Sequence, residues 1–243
     1  MADCTCIDIS HYQGYPDFAK VAAAGVLALI HKATEGTGYS DPNRGTNCKN
    51  ALDHGLAVCT YHFLKHGNAD AQMDYYCSVV QPQRGERMVI DYEDSACTIG
   101  DLHEAVQQLL DISKQQDLDL QITVYSGNLL KEQLGSSHDD FLAKNTDLWL
   151  AQYTSGTPSW PSGTYEIYSL WQYSESGSIP GIDDAAVDLN RFNGSDENLV
   201  KWIGPAGRPQ PVPPEPGAAT VALQIETTGA VTVTVNGQTV VTA

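Results

Sequence analysis

The segment "VIDYED" (89–94) places two acidic residues, Asp91 and Glu93, directly after an apolar run. In a β-strand the side chains alternate between faces, so these two carboxyl groups are expected on the same side. Neighbouring carboxylates repel each other, and a desolvated site raises the pKa of at least one of them. One carboxyl can then donate a proton while the other stays ionised, as the hydrolysis of a glycosidic bond requires. A solvated strand end would explain the same segment, so the rest of the chain must decide.

Short apolar segments alternate with segments of helical periodicity. Eight strands are predicted, at residues 6–10, 25–33, 56–64, 87–93, 121–127, 147–153, 165–174 and 185–192. One of the intervening helices is predicted to begin with Asp41 and Pro42 as cap and first-turn residue, and to close with Gly55. Alternation of this kind indicates parallel strands joined by crossover helices. With helices after roughly the first five strands, the sequence predicts an α/β barrel with an irregular last third.

Four acidic residues on three of these strands are candidates for the chemistry. Asp8 lies on the first, Asp91 and Glu93 on the fourth, and Asp188 on the eighth. In eight-stranded α/β barrels the chemistry takes place at the carboxyl ends of the strands. The first and last strands are neighbours when a barrel closes, so Asp8 and Asp188 should face each other, with the other two acids opposite. Side chains that could stack on or hydrogen-bond a sugar at this mouth are Tyr61, Tyr125, Trp149, Gln152, Tyr153 and Trp171.

The charge balance excludes several classes of partner. The chain has 30 Asp and Glu against 13 Lys and Arg, a formal net charge of −17. Nucleic acids and anionic membrane surfaces require clustered cations, so neither is expected as a partner. No 18-residue apolar run is present, and "MADCTCIDIS" lacks the charged and apolar regions of a secretory signal. A protein made in a host cytoplasm without a signal peptide is therefore expected.

Metal and cofactor chemistry has no support in the motifs. The six cysteines are scattered without zinc-site spacing, and buried reduced thiols are expected. A metal-dependent barrel hydrolase would place a histidine pair on the first strand, which reads "IDIS". His31 and His62 are interpreted as hydrogen-bonded structural residues. No metal site and no cofactor are expected.

The composition changes at Gly204. Residues 204–217 carry six prolines in fourteen positions, which predicts an extended linker after a barrel domain at 1–203. Residues 218–243 are nearly uncharged and rich in Val and Thr. There "VTVTV-NG-QTVV" predicts a hairpin with a two-residue turn at Asn236 and Gly237. This small β-rich tail is expected to be ordered only by packing: against the barrel, against a copy of itself, or on a receptor.

Seven segments of the chain resemble the family 25 glycoside hydrolases, in the order seen in that family. They are "DISHYQG" (8–14), "HKATEGTGYSDP" (31–42), "YHF" (61–63), "VIDYED" (89–94), "LWLAQY" (148–153), "LWQYS" (170–174) and "VDLNRFNG" (187–194). The resemblance covers residues 4 to about 203 and implies an irregular (β/α)5β3 barrel. It also implies a muramidase that hydrolyses the β-1,4 bond from N-acetylmuramic acid to N-acetylglucosamine in peptidoglycan glycan strands.

The resemblance also implies roles for single residues. Glu93 resembles the family's proton donor and Asp91 the first acid of its DxE motif, while Asp8 and Asp188 match the other two acids of the groove. Asp91 could orient the 2-acetamido group of the substrate as nucleophile, or an aspartate could act more directly; we favour the first. The residues implied to line sugar subsites are Lys32, Glu35, Tyr61, Tyr125 and Gln152.

Two other functions stay open at this point. The barrel could be an inactive glycan-binding or virion structural protein, or a glycosidase that acts on chitin-like polymers. A wall-cutting enzyme without a signal peptide is typical of a bacteriophage endolysin, which reaches the bacterial cell wall after release through a holin-type pore. An endolysin is therefore the expected origin.

Overall fold

The computed structural model describes residues 4–204 and the two strands 231–235 and 238–242. The chain divides into two compact units, Met1–Gln210 and Pro211–Ala243, which are described separately. In the described part of the first unit the strands are β1 (Cys6–Ile9), β2 (Ala28–Glu35), β3 (Tyr39–Ser40), β4 (Ala57–Phe63), β5 (Arg87–Asp91), β6 (Gln121–Ser126), β7 (Asp147–Ala151), β8 (Leu170–Ile179) and β9 (Ile182–Phe192). The helices are α1 (Phe18–Ala23), α2 (Arg44–Asp53), α3 (Ala69–Val80), α4 (Ile99–Gln116), α5 (Asn128–Leu134), α6 (Asp140–Asn145) and α7 (Asp196–Ile203), with a short 3-10 helix at His11–Gln13.

Eight of these strands close into a barrel in the order β1-β2-β4-β5-β6-β7-β8-β9, and β9 pairs with β1. Neighbouring strands from β1 through β8 run parallel, whereas β9 is antiparallel to both β8 and β1. Helices follow β1, β2, β4, β5 and β6, and none separates β7, β8 and β9. This arrangement confirms the predicted (β/α)5β3 barrel, and it corrects the expectation of parallel strands for the last one.

Alternation along the strands separates the barrel interior from its outer shell. On β5, Met88 and Ile90 pack outward against the core under α3 and α4, while Val89 faces the interior. On β1, Ile7 and Ile9 contact the core under α1, and Cys6 faces inward. The next inward positions along these two strands are acidic, at the carboxyl end. The period of two thus gives each strand an apolar lower position and a polar upper one.

Helix α7 closes the lower end of the barrel. Its Leu199 and Ile203 join the interior core cluster. Arg87, buried at the start of β5, donates to the Trp202 carbonyl at 2.6 Å and to Asp147 Oδ2 at 2.8 Å. Its guanidinium also lies 4.0 Å from the centroid of the Trp202 ring. These contacts close the lower end of the barrel, so its interior is accessible only from the opposite end.

Several element boundaries differ from the sequence prediction. Helix α2 begins at Arg44, not at Asp41 or Pro42; Asp41 lies in the turn before it, where Oδ1 accepts from the Asn43 amide and Oδ2 from the His11 amide. Strand β8 spans 170–179, not 165–174, since Tyr165 is buried against the preceding loop, where its hydroxyl contacts Thr146. Strand β5 ends at Asp91, so Glu93 lies beyond the strand.

The second unit is described only by β10 (Val231–Val235) and β11 (Gln238–Thr242), which pair antiparallel with Val235 opposite Gln238. This agrees with the two predicted hairpin strands. The predicted turn at 236–237, the rest of the predicted β-rich tail and the linker beyond Gly204 lie outside the described residues.

The six cysteines are free thiols. Five are buried, and Cys48 is partly buried. Within the described residues, the helices are all too short or too polar to span a bilayer.

Candidate active site

Four carboxyl groups meet at the carboxyl end of the barrel. Asp8 comes from β1, Asp91 from the end of β5, Glu93 from the turn after it, and Asp188 from β9. They line a cavity of about 70 Å³, called the acid pocket here, whose lining residues are Asp8, Tyr61, Asp91, Glu93, Tyr125, Trp149 and Asp188. The structure therefore brings together the four acids that the sequence singled out.

Asp8 and Asp188 form one half of this arrangement. They are directly opposite each other on the antiparallel strands β1 and β9. Burial, followed by the charge of Asp188, raises the pKa of Asp8 well above its ordinary value, and the two carboxyl groups are hydrogen-bonded to each other. Burial also raises the pKa of Asp188, which is half-buried, while the hydrogen bond with Asp8 opposes that effect. The pair is therefore arranged to hold a proton on Asp8.

Amide side chains fix the position of Asp8. Asn190 Nδ2 donates to Asp8 Oδ2 at 2.7 Å, and Gln172 Nε2 donates to the same oxygen at 3.0 Å. Each amide is oriented in turn: Trp149 Nε1 donates to Asn190 Oδ1 at 2.7 Å, and the Tyr125 hydroxyl donates to Gln172 Oε1 at 2.7 Å. Fully satisfied networks of buried polar groups are rigid. The Asp8 carboxyl therefore has one orientation.

Asp91 is the most isolated of the four acids. It is buried, and its Oδ1 has no hydrogen-bond partner among the described residues. Burial and then the charge of Glu93 raise its pKa well above the ordinary value, while Lys32 opposes them. A buried acceptor without a partner costs free energy that a bound donor recovers. Asp91 is thus prepared to accept a hydrogen bond from a ligand.

Glu93 lies at the mouth, where its side chain is open to solvent. Partial desolvation, followed by the charges of Asp188 and Glu175, raises the pKa of Glu93. A carboxyl with a raised pKa that a substrate can reach is suited to general acid catalysis. Asp91 is buried, whereas Glu93 is accessible. This difference suits Glu93 to proton donation and Asp91 to a stabilising role.

The residues expected to bind sugar fall into two groups. Tyr61, Tyr125 and Trp149 line the acid pocket, although Trp149 is only 1% exposed and packs against Tyr125 with tilted rings and 4.5 Å between ring centroids. Lys32 Nζ lies 2.7 Å from Glu35 Oε2, and this ion pair is only partly exposed. The position of Trp149 beneath Asn190 indicates that it supports the site and does not offer an open stacking face.

Gln152 lines a second cavity of about 480 Å³ that shares Glu93 with the acid pocket. This cavity is called the lysine pocket, and its lining residues are Glu93, Gly127, Asn128, Lys131, Ala151, Gln152, Tyr153 and Ser159. Tyr153 is half exposed there and donates to Gln172 Oε1 at 2.8 Å. Trp171 lines neither pocket, because it packs in the outer core and donates to the Gln152 carbonyl at 2.8 Å.

Sequence reasoning missed Asn190, Gln172 and Lys131. The sequence does contain a signal for Asn190, because this residue follows Asp188 by two positions and must share its strand face. Gln172 also lies within one of the quoted segments, "LWQYS". Lys131 lies on α5, in a segment without a recognisable motif.

Both histidines of the central strands have structural roles, as expected. His31 contacts the Lys32 carbonyl at 2.8 Å and Asn47 Nδ2 at 3.1 Å. His62 contacts Thr34 Oγ1 at 2.7 Å, and burial lowers its pKa to about 4. Across the described residues, acids, histidines and cysteines form no cluster of three or more that could hold a metal ion.

Comparison with known proteins finds lysozymes. The chain is 28% identical over 214 residues to Lysozyme M1 of Streptomyces globisporus, covering 80% of this chain and 69% of that protein. It is 29% identical over 189 residues to the autolytic lysozyme of Clostridium acetobutylicum, covering 77% of this chain and 55% of that protein. The crystal structure of a bacterial lysozyme from Streptomyces coelicolor superimposes with a TM-score of 0.69 at 26% identity, covering 81% of this chain and 95% of that one.

The family model described as "Glycosyl hydrolases family 25" matches residues 7–182, which contain the barrel from β1 to the start of β9 and three of the four acids. The match spans well over half of the chain, and the barrel topology and its ring of carboxyl groups agree with it. The chain is therefore a glycoside hydrolase of the lysozyme type and belongs to glycosyl hydrolases family 25.

Proposed function

We propose that this enzyme hydrolyses the β-1,4 bond between N-acetylmuramic acid and N-acetylglucosamine in bacterial peptidoglycan, and that this cleavage lyses the cell. The observation that carries the proposal is the pairing of Asp91, buried with an unpartnered oxygen, with the accessible Glu93, whose pKa is raised. Both residues lie in one pocket that opens at the carboxyl end of the barrel.

Glu93 acts as the proton donor. Its carboxyl group protonates the glycosidic oxygen as the bond to the anomeric carbon breaks, and the resulting carboxylate then takes a proton from the attacking water. The mouth position suits both steps, because Glu93 is reached by substrate from either pocket. Its raised pKa keeps the donor protonated in mildly acidic solution.

Asp91 acts on the substrate's own nucleophile. The N–H of a 2-acetamido group supplies the donor that Asp91 Oδ1 lacks. This hydrogen bond orients the acetamido carbonyl oxygen toward the anomeric carbon and stabilises the positive charge that forms on the acetamido group. Asp8, held by Asn190, lines the same pocket and contributes to its electrostatics without needing to react.

The test combines lysis with product analysis. Wild-type enzyme should clear a suspension of purified walls, and Glu93→Gln should reduce the rate at least about 100-fold, because the amide keeps the shape but cannot donate the proton. The matched control is Glu104→Gln, an exposed glutamate on α4. Borohydride reduction of the products should yield N-acetylmuramitol; N-acetylglucosaminitol, or full activity in Glu93→Gln, would refute the assignment.

The place of action is proposed on the same basis. We expect the enzyme to act on the bacterial wall, and we propose that it reaches the wall by holin-type release from a phage-infected host. Co-expression with and without a holin, followed by measurement of lysis, tests it. Equal lysis in both cultures would contradict this route.

A further inference from the structure

The lysine pocket contains a cation without an anionic partner. Lys131 Nζ donates to Gln152 Oε1 at 2.7 Å, a neutral acceptor. Among the described residues, Lys131 takes part in no ion pair. Burial lowers the pKa of Lys131, and no carboxylate offsets this effect. An ammonium group in such a place is a ready site for an anion.

The other lysines near the mouth differ. Lys32 pairs with Glu35 at 2.7 Å, and Lys65 pairs with Asp94 at 2.9 Å. Their charges are already balanced within the protein. Acidic residues outnumber basic ones in this chain, yet of Lys32, Lys65 and Lys131 only Lys131 has no carboxylate partner among the described residues.

The remaining lining of the lysine pocket also favours an acceptor. Gln152 Oε1 accepts from Lys131, from the Ser159 amide at 2.9 Å and from Ser159 Oγ at 3.3 Å, so its oxygen is saturated. The Gln152 Nε2 group makes no hydrogen bond among the described residues, and Asn128 is exposed beside it. Glu93 is the sole acid among the described lining residues, and it is the one that must carry a proton.

We propose that the lysine pocket binds a carboxylate carried by a muramoyl residue of the glycan, with Lys131 as its ion-pair partner and Gln152 Nε2 as a second donor. This inference rests on the proposed function and deepens it. The shared residue Glu93 places the carboxylate next to the scissile bond. The chemistry that is recognised is a carboxylate, from either the lactyl group or the stem peptide attached to it.

The consequence is selectivity for peptidoglycan over chitin-like polymers. An uncharged N-acetylglucosamine residue fits the same volume but leaves the partly desolvated Lys131 unpaired. A site built around a charged group discriminates against ligands that lack it, since its own polar groups then lose their partner. Lys131 is therefore a specificity-determining residue, distinct from the acids that carry out the reaction.

The experiment measures binding to the inactive Glu93→Gln enzyme by calorimetry. The ligands are peptide-free glycan strands with a free lactyl carboxylate, the same strands with that carboxyl converted to a methylamide, and peptide-bearing strands. We expect the free carboxylate to bind about 5- to 10-fold more tightly than the amide, in line with a charge-assisted contact. Adding Lys131→Met should remove this preference, and Lys131→Arg should restore most of it.

The controls separate the local contact from the overall charge. Lys114→Met removes one positive charge from the exposed surface of α4 and should leave the preference unchanged. Loss of affinity in Lys131→Met for the lactyl strands identifies the lactyl carboxylate, whereas loss for peptide-bearing strands alone identifies the stem peptide. Equal affinities of Lys131→Met and its parent for all three ligands would overturn the inference. Failure of wild-type enzyme to cleave walls would instead refute the proposed function.

Discussion

Asp8 and Asp188 occupy opposite positions on two antiparallel strands, and their carboxyl groups hydrogen-bond to each other. A hydrogen bond between two carboxyl groups needs a proton on one of them. Glu93 lies close enough to Asp188 for the charge of Asp188 to raise its pKa. Protonation of Glu93 is therefore linked to the charge of Asp188. A profile of activity against pH reports on the four acids together.

The first prediction concerns the pH dependence of activity. Glu93 must be protonated to donate, and desolvation together with Asp188 and Glu175 raises its pKa. Lytic activity should therefore be highest in mildly acidic solution and fall as the pH rises through that pKa. Initial rates of wall clearing between pH 4 and 9 at constant ionic strength test this. A flat profile across pH 5 to 9 would contradict it.

A variant at Glu175 sharpens that prediction. Glu175→Gln removes one negative charge that raises the Glu93 pKa, so the alkaline limb should move to lower pH by roughly 0.2 to 0.7 units, as expected for an exposed charge. The matched control, Glu104→Gln, should leave the limb in place. A shift to higher pH in Glu175→Gln would show that another group controls the limb.

The second prediction separates activity from stability at Asp91. Asp91→Asn should lower the rate about 100-fold, because the acetamido group loses its orienting carboxylate. Burial and the charge of Glu93 raise the pKa of Asp91 in the folded state. Protonated Asp91 therefore contributes fully to the unfolding free energy below its unfolded-state pKa, and this contribution is lost as the pH rises through its folded-state pKa. Between pH 5 and 9 the variant should therefore lose less unfolding free energy than wild type, measured by urea denaturation. An unchanged rate would refute the substrate-assisted mechanism.

The third prediction concerns the amide that supports Asp8. Asn190→Ala removes the 2.7 Å donor to Asp8 and the acceptor of Trp149 Nε1. The buried Trp149 Nε1 then has no acceptor, and Asp8 Oδ2 keeps only its bond from Gln172, so the unfolding free energy should fall by about 2 kcal/mol. Activity should fall as well, because Asp8 loses its fixed orientation. Asn198→Ala, at an exposed asparagine of α7, is the control and should be neutral; equal stability of the two variants would argue against the network.

The fourth prediction concerns residues 218–243. The segment has few charges and alternating apolar positions, and a small unit of two or three strands is at the lower limit of independent stability. Truncation after Gly204 should therefore change either the mass per particle in light scattering or the binding to walls in a pull-down. Loss of binding alone indicates a wall anchor, and loss of a multimer indicates an assembly element. No change in either, with unchanged lysis, would show the segment to be dispensable.

Much of the site follows from the sequence because its chemistry is local. Asp91 and Glu93 are adjacent to an apolar strand, and the rule that barrel sites lie at strand ends places them at the mouth. Asp8 and Asp188 could be paired in advance because the first and last strands of a closed barrel are neighbours. The eight barrel strands, and helices after roughly the first five of them, followed from periodicity, whereas the two-residue strand β3 was not predicted.

The remainder depends on partners that are distant in the chain. Asp41 carries a helix-capping signal, but its carboxylate binds the distant His11 amide as well as the Asn43 amide, and α2 begins only at Arg44. The polar segment around residues 175–184 has no apolar alternation, so the length of the β8–β9 hairpin could not be predicted. Lys131 could not be singled out from the sequence, because a lysine on a helix surface is usually solvated; its role depends on which groups surround it in space.

The closure of the barrel by its first and last strands also has a consequence for biosynthesis. Asp8 obtains its strongest donor from Asn190, which is 182 residues further along the chain. At translation rates of 5 to 20 residues per second, roughly 9 to 36 s separate their synthesis. Until β9 leaves the ribosome, the nascent polypeptide has no closed barrel and no complete set of carboxyl groups. We therefore expect the glycoside hydrolase to become competent only after its barrel is complete, and truncated translation products that lack β9 to be inactive.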